Sequence, residues 1–378
     1  MKFLFVSFFH PEAERVGATM RSLSIIRALR YLGHDVTIIG LVNAGTPVAG
    51  GRARSTPRGL RRVVGALGLN ARGLPSTGCE QLPGGWGREV EQTVDSVQPD
   101  VVVVDMLWVW PAVAGHVKGK PIVYLEHNVE AGVAARFAAQ ERSRFKKLVR
   151  QWDGFITRRL EETVWAQARV IWAVSEAERL VRDVRSQGKT SVIRNSLPAD
   201  RVPAPVSRTI RFDALFVGAV SFLPNRLGLE WFCSQVWREG RLGEAGWRLG
   251  VLGGTGEPLA ATRLTGVEWL GHVEDLLPIY HATRAVVAPI FIGGGTKLKV
   301  LEALQFGLPV VAAPHAVEGL DAGHAIRIAR TADEWVRTLS DLRSSATAAE
   351  SRQNREFYLR HHDWRSIALA LEASLRLL

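Results

Sequence analysis

An α/β fold built from two doubly wound parallel-sheet domains is what this sequence predicts, on three observations. Strand-length apolar runs alternate with helix-length segments in two separate series. The chain has 378 residues, more than one ordinary hydrophobic core serves. Between the two series lies "NSLPADRVPAPVSRT", where Pro198, Pro203 and Pro205 interrupt any regular element.

In chain order, the first series reads "KFLFVSF", "DVTIIGLV", "DVVVVD", "PIVYLE" and "RVIWAVS". Each is a short, nearly continuous apolar run, the pattern of a strand covered on both faces. Helical segments separate them, beginning with residues 18–32, which Gly33 is placed to cap. The second series reads "DALFVG", "WRLGVLG", "GVEWLG", "AVVAPI" and "PVVAAP". These runs give expected domains at residues 1–205 and 206–360. Residues 361–378 hold a final helix, "WRSIALALEASLRLL", able to pack on either half, including back onto the first domain. Residues 43–87 break the rhythm. They are rich in Gly, Pro and Arg, only "LRRVVGALGL" is helix-like, and a loop of that length is usually functional or mobile.

Composition narrows the class. With 47% hydrophobic and 22% charged residues, the chain reads as a soluble globular protein. Its two cysteines, Cys79 and Cys233, lie far apart, which argues against a disulfide framework or a thiolate metal site and fits a reducing compartment. The opening "MKFLFVSFF" ends at His10-Pro11-Glu12 with no small-residue cleavage site, so it does not read as a signal peptide. No run of about 18 apolar residues occurs, and the expected location is cytoplasmic. The net charge of +11 is uneven: residues 1–207 carry 29 Lys and Arg against 19 Asp and Glu, and the remainder 19 against 18. An anionic partner on the first half is one reading. The other is base composition, since Arg outnumbers Lys 40 to 8.

The densest chemistry lies in "PIFIGGGTKLKVLEALQFGLPVV", where a strand runs into Gly293-Gly294-Gly295 and then a helix from about Thr296 to Phe306, stopped by Gly307. Glycines admit close backbone approach, and a helix N-terminus favours an anion. Lys297 and Lys299 oppose that dipole unless a phosphate, attractive to both, lies between them. On the helical wheel Thr296, Lys299 and Glu302 share one stripe while Leu298, Leu301 and Leu304 turn inward. Glu302 stands about 7.5 Å along the axis from Lys297, comparable to the span from a diphosphate to ribose hydroxyls. A carboxylate accepts two hydrogen bonds from a diol. The plain alternative is a surface helix with a Lys299–Glu302 pair.

The segment "PIFIGGGTKLKVLEALQFGLPVVAAPHAVEGL" resembles the donor-binding segment of family 4 glycosyltransferases, in the branch reading P-x-x-x-G-G-G-T-[RK]-x-K-x-L-E-A. "FVGAVSFLPNRLGLEWF", "VIRNSLPAD", "GATMRSLSIIRALRYLGHDVTIIG" and "EHNVE" resemble other segments of that family, so the likeness covers nearly the whole chain. It implies a GT-B architecture: two Rossmann-like domains with a cleft between them, the first on the acceptor side and the second binding a nucleotide-sugar donor. It also implies a retaining sugar transfer, with polysaccharide and cell-envelope biosynthesis as the usual setting. Glu302 matches the second glutamate of the family's E-x7-E motif, which binds the donor ribose, and Gly294 stands at the first position. Gly17 matches the N-terminal glycine loop, with Ala18 where a second glycine is usual. Gly218 matches the glycine ending the first donor-domain strand, and Arg226 is a weak counterpart of the basic residue that often follows. His127 matches a histidine near acceptor and donor sugar, or else simply caps a strand end.

No D-x-D triplet, H-E-x-x-H or clustered ligand pattern occurs, so the expectation is no metal and no cofactor beyond the sugar donor. Lysines and helix-terminal amides would then stabilise the leaving group. The acceptor is a glycan, a lipid-linked molecule or a small molecule. Residues 136–160, "RFAAQERSRFKKLVRQWDGFITRRL", mix cations with aromatics, and two readings stand: a helix lying on an anionic membrane, or a solvated face over a core. "RARSTPRGLRR" closes over an acceptor or is disordered. Rival functions are a nucleotide-sugar epimerase of the same fold and a non-catalytic basic protein binding membrane or nucleic acid. No RNA- or DNA-binding signature occurs, so nucleic acid is not an expected partner. A dehydrogenase is disfavoured because "FFHPEAERVGATMR" lacks G-x-G-x-x-G.

Overall fold

The computed structural model describes residues 1–13, 17–55, 59–182, 184–197, 209–254, 257–292, 298–320, 326–345 and 348–378. The chain divides into two compact units, Met1–Pro198 together with Trp364–Leu378, and Ala199–Asp363. The seam prolines Pro198, Pro203 and Pro205 lie outside the described residues.

Seven strands form the first unit's sheet: Lys2–Ser7 (β1), Asp35–Val42 (β2), Gly51–Ala53 (β3), Val101–Asp105 (β4), Ile122–Leu125 (β5), Val170–Ala173 (β6) and Thr190–Val192 (β7). They run parallel in the order β3-β2-β1-β4-β5-β6-β7. Helices Gly17–Tyr31 (α1), Gly59–Ala71 (α2), Trp86–Val97 (α3), Trp110–Val113 (α4), Glu130–Ala139 (α5), Arg144–Gln167 (α6), Glu176–Leu180 (α7) and Val184–Gly188 (α8) connect them. Both faces of the sheet are buried, which is why its strands read as unbroken apolar runs. Phe3 and Phe5 of β1 point into a cluster with Ile25, Leu29 and Trp364, while Leu4 and Val6 point into another with Val90, Trp108 and Val164.

The stretch 43–87, of which residues 56–58 within "RARSTPRGLRR" lie outside the described ones, places the helix-like "LRRVVGALGL" in α2, accompanied by the edge strand β3 and the buried Cys79. Its ordering has a packing reason: Cys79 and Trp86 sit in the same cluster as Trp108. The edge strands β3 and β7 escape the sequence pattern because three residues carry too little periodicity to register.

The second unit's strands are Phe212–Val217 (β8), Leu249–Leu252 (β9), Val267–Trp269 (β10), Thr283–Ala288 (β11), Val310–Ala312 (β12) and Ile326–Ile328 (β13). These also run parallel, in the order β10-β9-β8-β11-β12-β13. Its helices are Leu223–Trp231 (α9), Leu277–His281 (α10), Leu298–Gln305 (α11), Ala332–Ser345 (α12) and Ala348–His361 (α13). In each sheet the chain order reverses once, between β1 and β4 and between β8 and β11. At such a switch point neighbouring loops diverge and leave a crevice at the carboxyl ends of the strands.

The last helix, Trp364–Leu375 (α14), belongs to the first unit and packs along α1. Ile367, Ala368 and Leu371 are buried there, Arg27 lies 4.4 Å above the Trp364 ring, and the buried Trp172 indole donates to Ser374 Oγ at 2.9 Å.

Candidate active site

At the first unit's switch point, β1 ends at Ser7 and β4 at Asp105, and the register pairs these two residues directly. Both side chains are buried, and the Ser7 hydroxyl donates to Asp105 Oδ2 at 2.8 Å. The other carboxylate oxygen, Oδ1, lies 2.6 Å from Nε2 of His127, just past β5 and itself buried. An ionised carboxylate only accepts, so it holds the hydrogen on Nε2 and leaves Nδ1 as the basic ring nitrogen. Met106, the next residue after Asp105, has φ 80, a conformation that a residue with a Cβ seldom adopts. Backbone strain of this kind clusters at functional sites. His127, Asp105 and Ser7 thus form one buried, hydrogen-bonded group at the carboxyl ends of β1, β4 and β5. Asp105 and Ser7 were not among the residues singled out in the sequence. The only signal was an aspartate closing the run "VVVVD".

The surrounding scaffold is polar and buried. Arg21 of α1 is buried and donates to the carbonyls of Ile193 at 2.6 Å, Glu126 at 3.2 Å and Trp172 at 3.3 Å, and to Asn195 Oδ1 at 2.9 Å. It ties together the carboxyl ends of β5, β6 and β7. Burial lowers its pKa to about 10, so it stays cationic at neutral pH. Glu126 accepts from Trp165 Nε1 at 3.0 Å and pairs with Arg182, while burial pushes its carboxyl upward. Gly17 is the first residue of α1, whose first turn carries no acid.

In the second unit, Gly218 directly follows β8, with φ +152. A Cβ there would lie 2.6 Å from both Asn225 Nδ2 and Lys299 Nζ, so only glycine lets these groups converge on the backbone. Lys299 Nζ donates to Asn225 Oδ1 at 2.7 Å and sits 4.9 Å from the Phe216 ring centre, and Asn225 in turn donates to the Ala219 carbonyl at 2.9 Å. The expected alternative, a surface pair of Lys299 with Glu302, understates what Lys299 does: it reaches from α11 across to the turn after β8. Glu302, one turn further along α11, accepts from the buried Tyr280 hydroxyl at 2.9 Å on Oε2. Val300, Leu301 and Leu304 of that helix are buried. Arg226 stands exposed on α9, and Lys299 is the cation placed at Gly218. Close approach continues at Gly228, where a Cβ would fall 1.9 Å from the Pro289 carbonyl oxygen, pinning α9 to the end of β11.

Structure therefore brings Gly218, Asn225 and Lys299 together just after β8, while Glu302, on the same helix as Lys299, meets Tyr280 of α10. His127 and Gly17 belong to the first unit. Gly293, Gly294, Gly295, Thr296 and Lys297 lie outside the described residues. Among the described residues no group of three His, Cys, Asp or Glu could hold a metal ion, and no helix is long and apolar enough to cross a membrane.

Two parallel α/β sheets with polar groups gathered at their switch points define a sugar-transferring enzyme of the GT-B class, as comparison with known proteins shows. Residues 17–201 match the model described as Glycosyltransferase Family 4, and residues 211–345 match that described as Glycosyl transferases group 1. The chain belongs to this glycosyltransferase family. Solved structures share the fold. Sucrose-phosphate synthase (tll1590) from Thermosynechococcus elongatus matches with a TM-score of 0.70 and 16% identity, covering 99% of this chain and 98% of that one. Anabaena Alr3699/HepE in complex with UDP-glucose matches at 0.63 and 15%, covering all of both chains. The lipopolysaccharide outer core galactosyltransferase WaaB matches at 0.58 and 14%, covering 100% of this chain and 99% of that one. No curated protein sequence matches significantly.

Proposed function

We propose that the enzyme transfers a sugar from a nucleotide-diphosphate sugar to an acceptor hydroxyl, without a metal ion and with retention at the anomeric carbon. The observation that carries this reading is the convergence of Lys299 and Asn225 on the Cβ-free surface of Gly218 at the β8–β11 switch point. A fixed ammonium beside exposed backbone suits a diphosphate, whose negative charge grows as the bond to the sugar breaks. Glu302, whose Oε2 accepts from Tyr280, is by resemblance the carboxylate that meets the ribose diol. By resemblance Gly293, Gly294, Gly295, Thr296 and Lys297 complete the diphosphate site, and Gly17 belongs to the first unit's glycine loop. A related structure contains UDP-glucose, which favours a uridine donor. His127, its tautomer set by Asp105, serves the acceptor or the sugar. The acceptor is a glycan, a small molecule or, as the surface of α6 favours, a lipid-linked molecule met at the inner face of a membrane.

Calorimetric titration with UDP, GDP and ADP and their glucose conjugates, with and without Mg²⁺, tests the donor site. One nucleotide should bind without metal, and Glu302→Ala should weaken it about tenfold, the loss expected for one charge-assisted hydrogen bond. No binding at millimolar nucleotide, or binding unchanged by the substitution, would remove the donor reading.

A further inference from the structure

Helix α6 changes character along its length. Its C-terminal half buries Ile156, Leu160, Val164 and Trp165 against the first unit, which fixes the helix in place. In its N-terminal half the large apolar side chains point away from protein. Phe145 is 76% exposed, Leu148 65%, Val149 50%, Trp152 57% and Phe155 47%. At 100° per residue these five fall within an arc of about 120°, a continuous stripe. The opposite face is where α5 closes in: a Cβ on Gly154 would meet Ala134 Cβ at 3.4 Å, beside a cavity of about 840 Å³.

Charge singles out the occupant. Residues 144–159 contain six cations and one acid, Asp153; Arg144 and Lys146 flank the stripe and Arg159 lies within it, while Lys147, Arg150 and Arg158 line the cavity on the α5 side. That acid faces inward in effect, since it accepts from the backbone N–H of Ser76 at 2.6 Å and from the hydroxyls of Ser76 and Thr77 at 2.8 and 2.6 Å. Trp152 and Phe155 stack at 5.7 Å, and the Arg159 guanidinium lies 4.9 Å from the Phe155 ring centre. An apolar arc with interfacial aromatics, flanked by Arg144 and Lys146 and spanning about 15 Å of helix, matches an interface that is apolar below and anionic above. A protein partner would meet apolar and cationic groups interleaved on one narrow ridge. A nucleic acid would leave Phe145, Leu148 and Val149 against water.

We propose that the N-terminal half of α6 docks the enzyme on an anionic lipid bilayer, with Phe145, Leu148, Trp152 and Phe155 entering the headgroup boundary and the flanking cations meeting lipid phosphates. The surface deepens the lipid-linked reading of the acceptor and is independent of the donor site.

Cosedimentation with vesicles of phosphatidylcholine containing about one-third phosphatidylglycerol tests it, alongside vesicles of phosphatidylcholine alone. The full chain should bind the anionic vesicles at least tenfold better than the neutral ones, and binding should fall as salt screens the charges. The combined Phe145→Ser, Trp152→Ser, Phe155→Ser variant should lose binding tenfold or more while its melting temperature and nucleotide affinity stay unchanged. Arg144→Glu with Lys146→Glu should lose binding to anionic vesicles specifically. Absence of wild-type binding, or equal binding by the apolar variant, overturns the proposal. So does a wild-type dimer that the apolar variant dissolves, which would give the stripe to a second copy of the chain. Because nucleotide titration runs without vesicles, failure here leaves the donor reading standing, and failure there leaves this one.

Discussion

Asp105 holds Ser7 on one oxygen and His127 on the other, so Asp105→Asn changes what the imidazole meets without emptying the space. The amide offers either an N–H₂ or a carbonyl to Nε2, and the N–H₂ face would favour the opposite tautomer. If the imidazole takes part in transfer, kcat should fall about a hundredfold or more, the contribution typical of a positioned acid or base. Donor affinity should hold, because Lys299 and Glu302 sit in the other unit. Equal losses in kcat and donor affinity, or no loss at all, would reduce the trio to a structural role. At this scale the sequence was readable only where function follows helical spacing. Lys299 and Glu302 are three residues apart on one turn, so one wheel joins them. Asp105 ends β4 and His127 lies just past β5, 22 residues on, and only the pairing of those strands brings them together. Gly218 and Lys299 were each singled out in the sequence, but not their meeting, nor the part of Asn225 in it.

Helix α5 begins on a buried carboxylate. Glu161 of α6 accepts the backbone N–H of Glu130 at 2.5 Å and of Ala131 at 3.3 Å, supplying from a neighbouring helix the cap that Val129 cannot. Burial pushes its pKa up to about 8, and the nearby Glu126 charge adds to the shift. Glu178 is likewise raised to about 8 and Glu130 to about 7, both mainly by burial. A raised folded pKa means that the folded chain holds more protons than the unfolded one, whose carboxyls ionise near 4.5. Stability from these groups is therefore full below pH 4.5 and declines as pH rises toward 8. Glu161→Gln should flatten the decline in melting temperature between pH 5 and pH 8, without abolishing it, since Glu126, Glu130 and Glu178 are raised in the same direction. An unchanged slope would show that Glu161 does not titrate in this window. Elements as a whole were legible when they were long or strongly apolar, as β1, β4 and α11 were. The edge strands β3, β7 and β13 are three residues each, and pairing with a neighbour, rather than any pattern of their own, defines them.

Across the molecule, two parallel sheets each present a switch point, and each switch point gathers a distinct kind of chemistry: a carboxylate–imidazole pair in one and an ammonium beside glycine in the other. The positive charge is just as unequal, and the half that carries the excess also carries the exposed stripe of α6. The doubly wound fold could be read from alternating runs alone, whereas the helix that ends the chain could not be assigned to a half, because its apolar face fits any groove. Its packing on α1 means that the first unit is made from both ends of the polypeptide. During synthesis that unit must wait. After β7 is made, roughly 170 residues separate it from Trp364, and at about 5–20 residues per second they take on the order of 10–30 s to appear. Until then Trp172 has no Ser374, and the groove along α1 is open to water. Ribosome-bound chains stalled before residue 364 should be cut by protease within the first unit, and chains stalled well beyond the final helix should resist. The second unit, contiguous in sequence, would reach its own fold first, so the later-made half matures ahead of the earlier one.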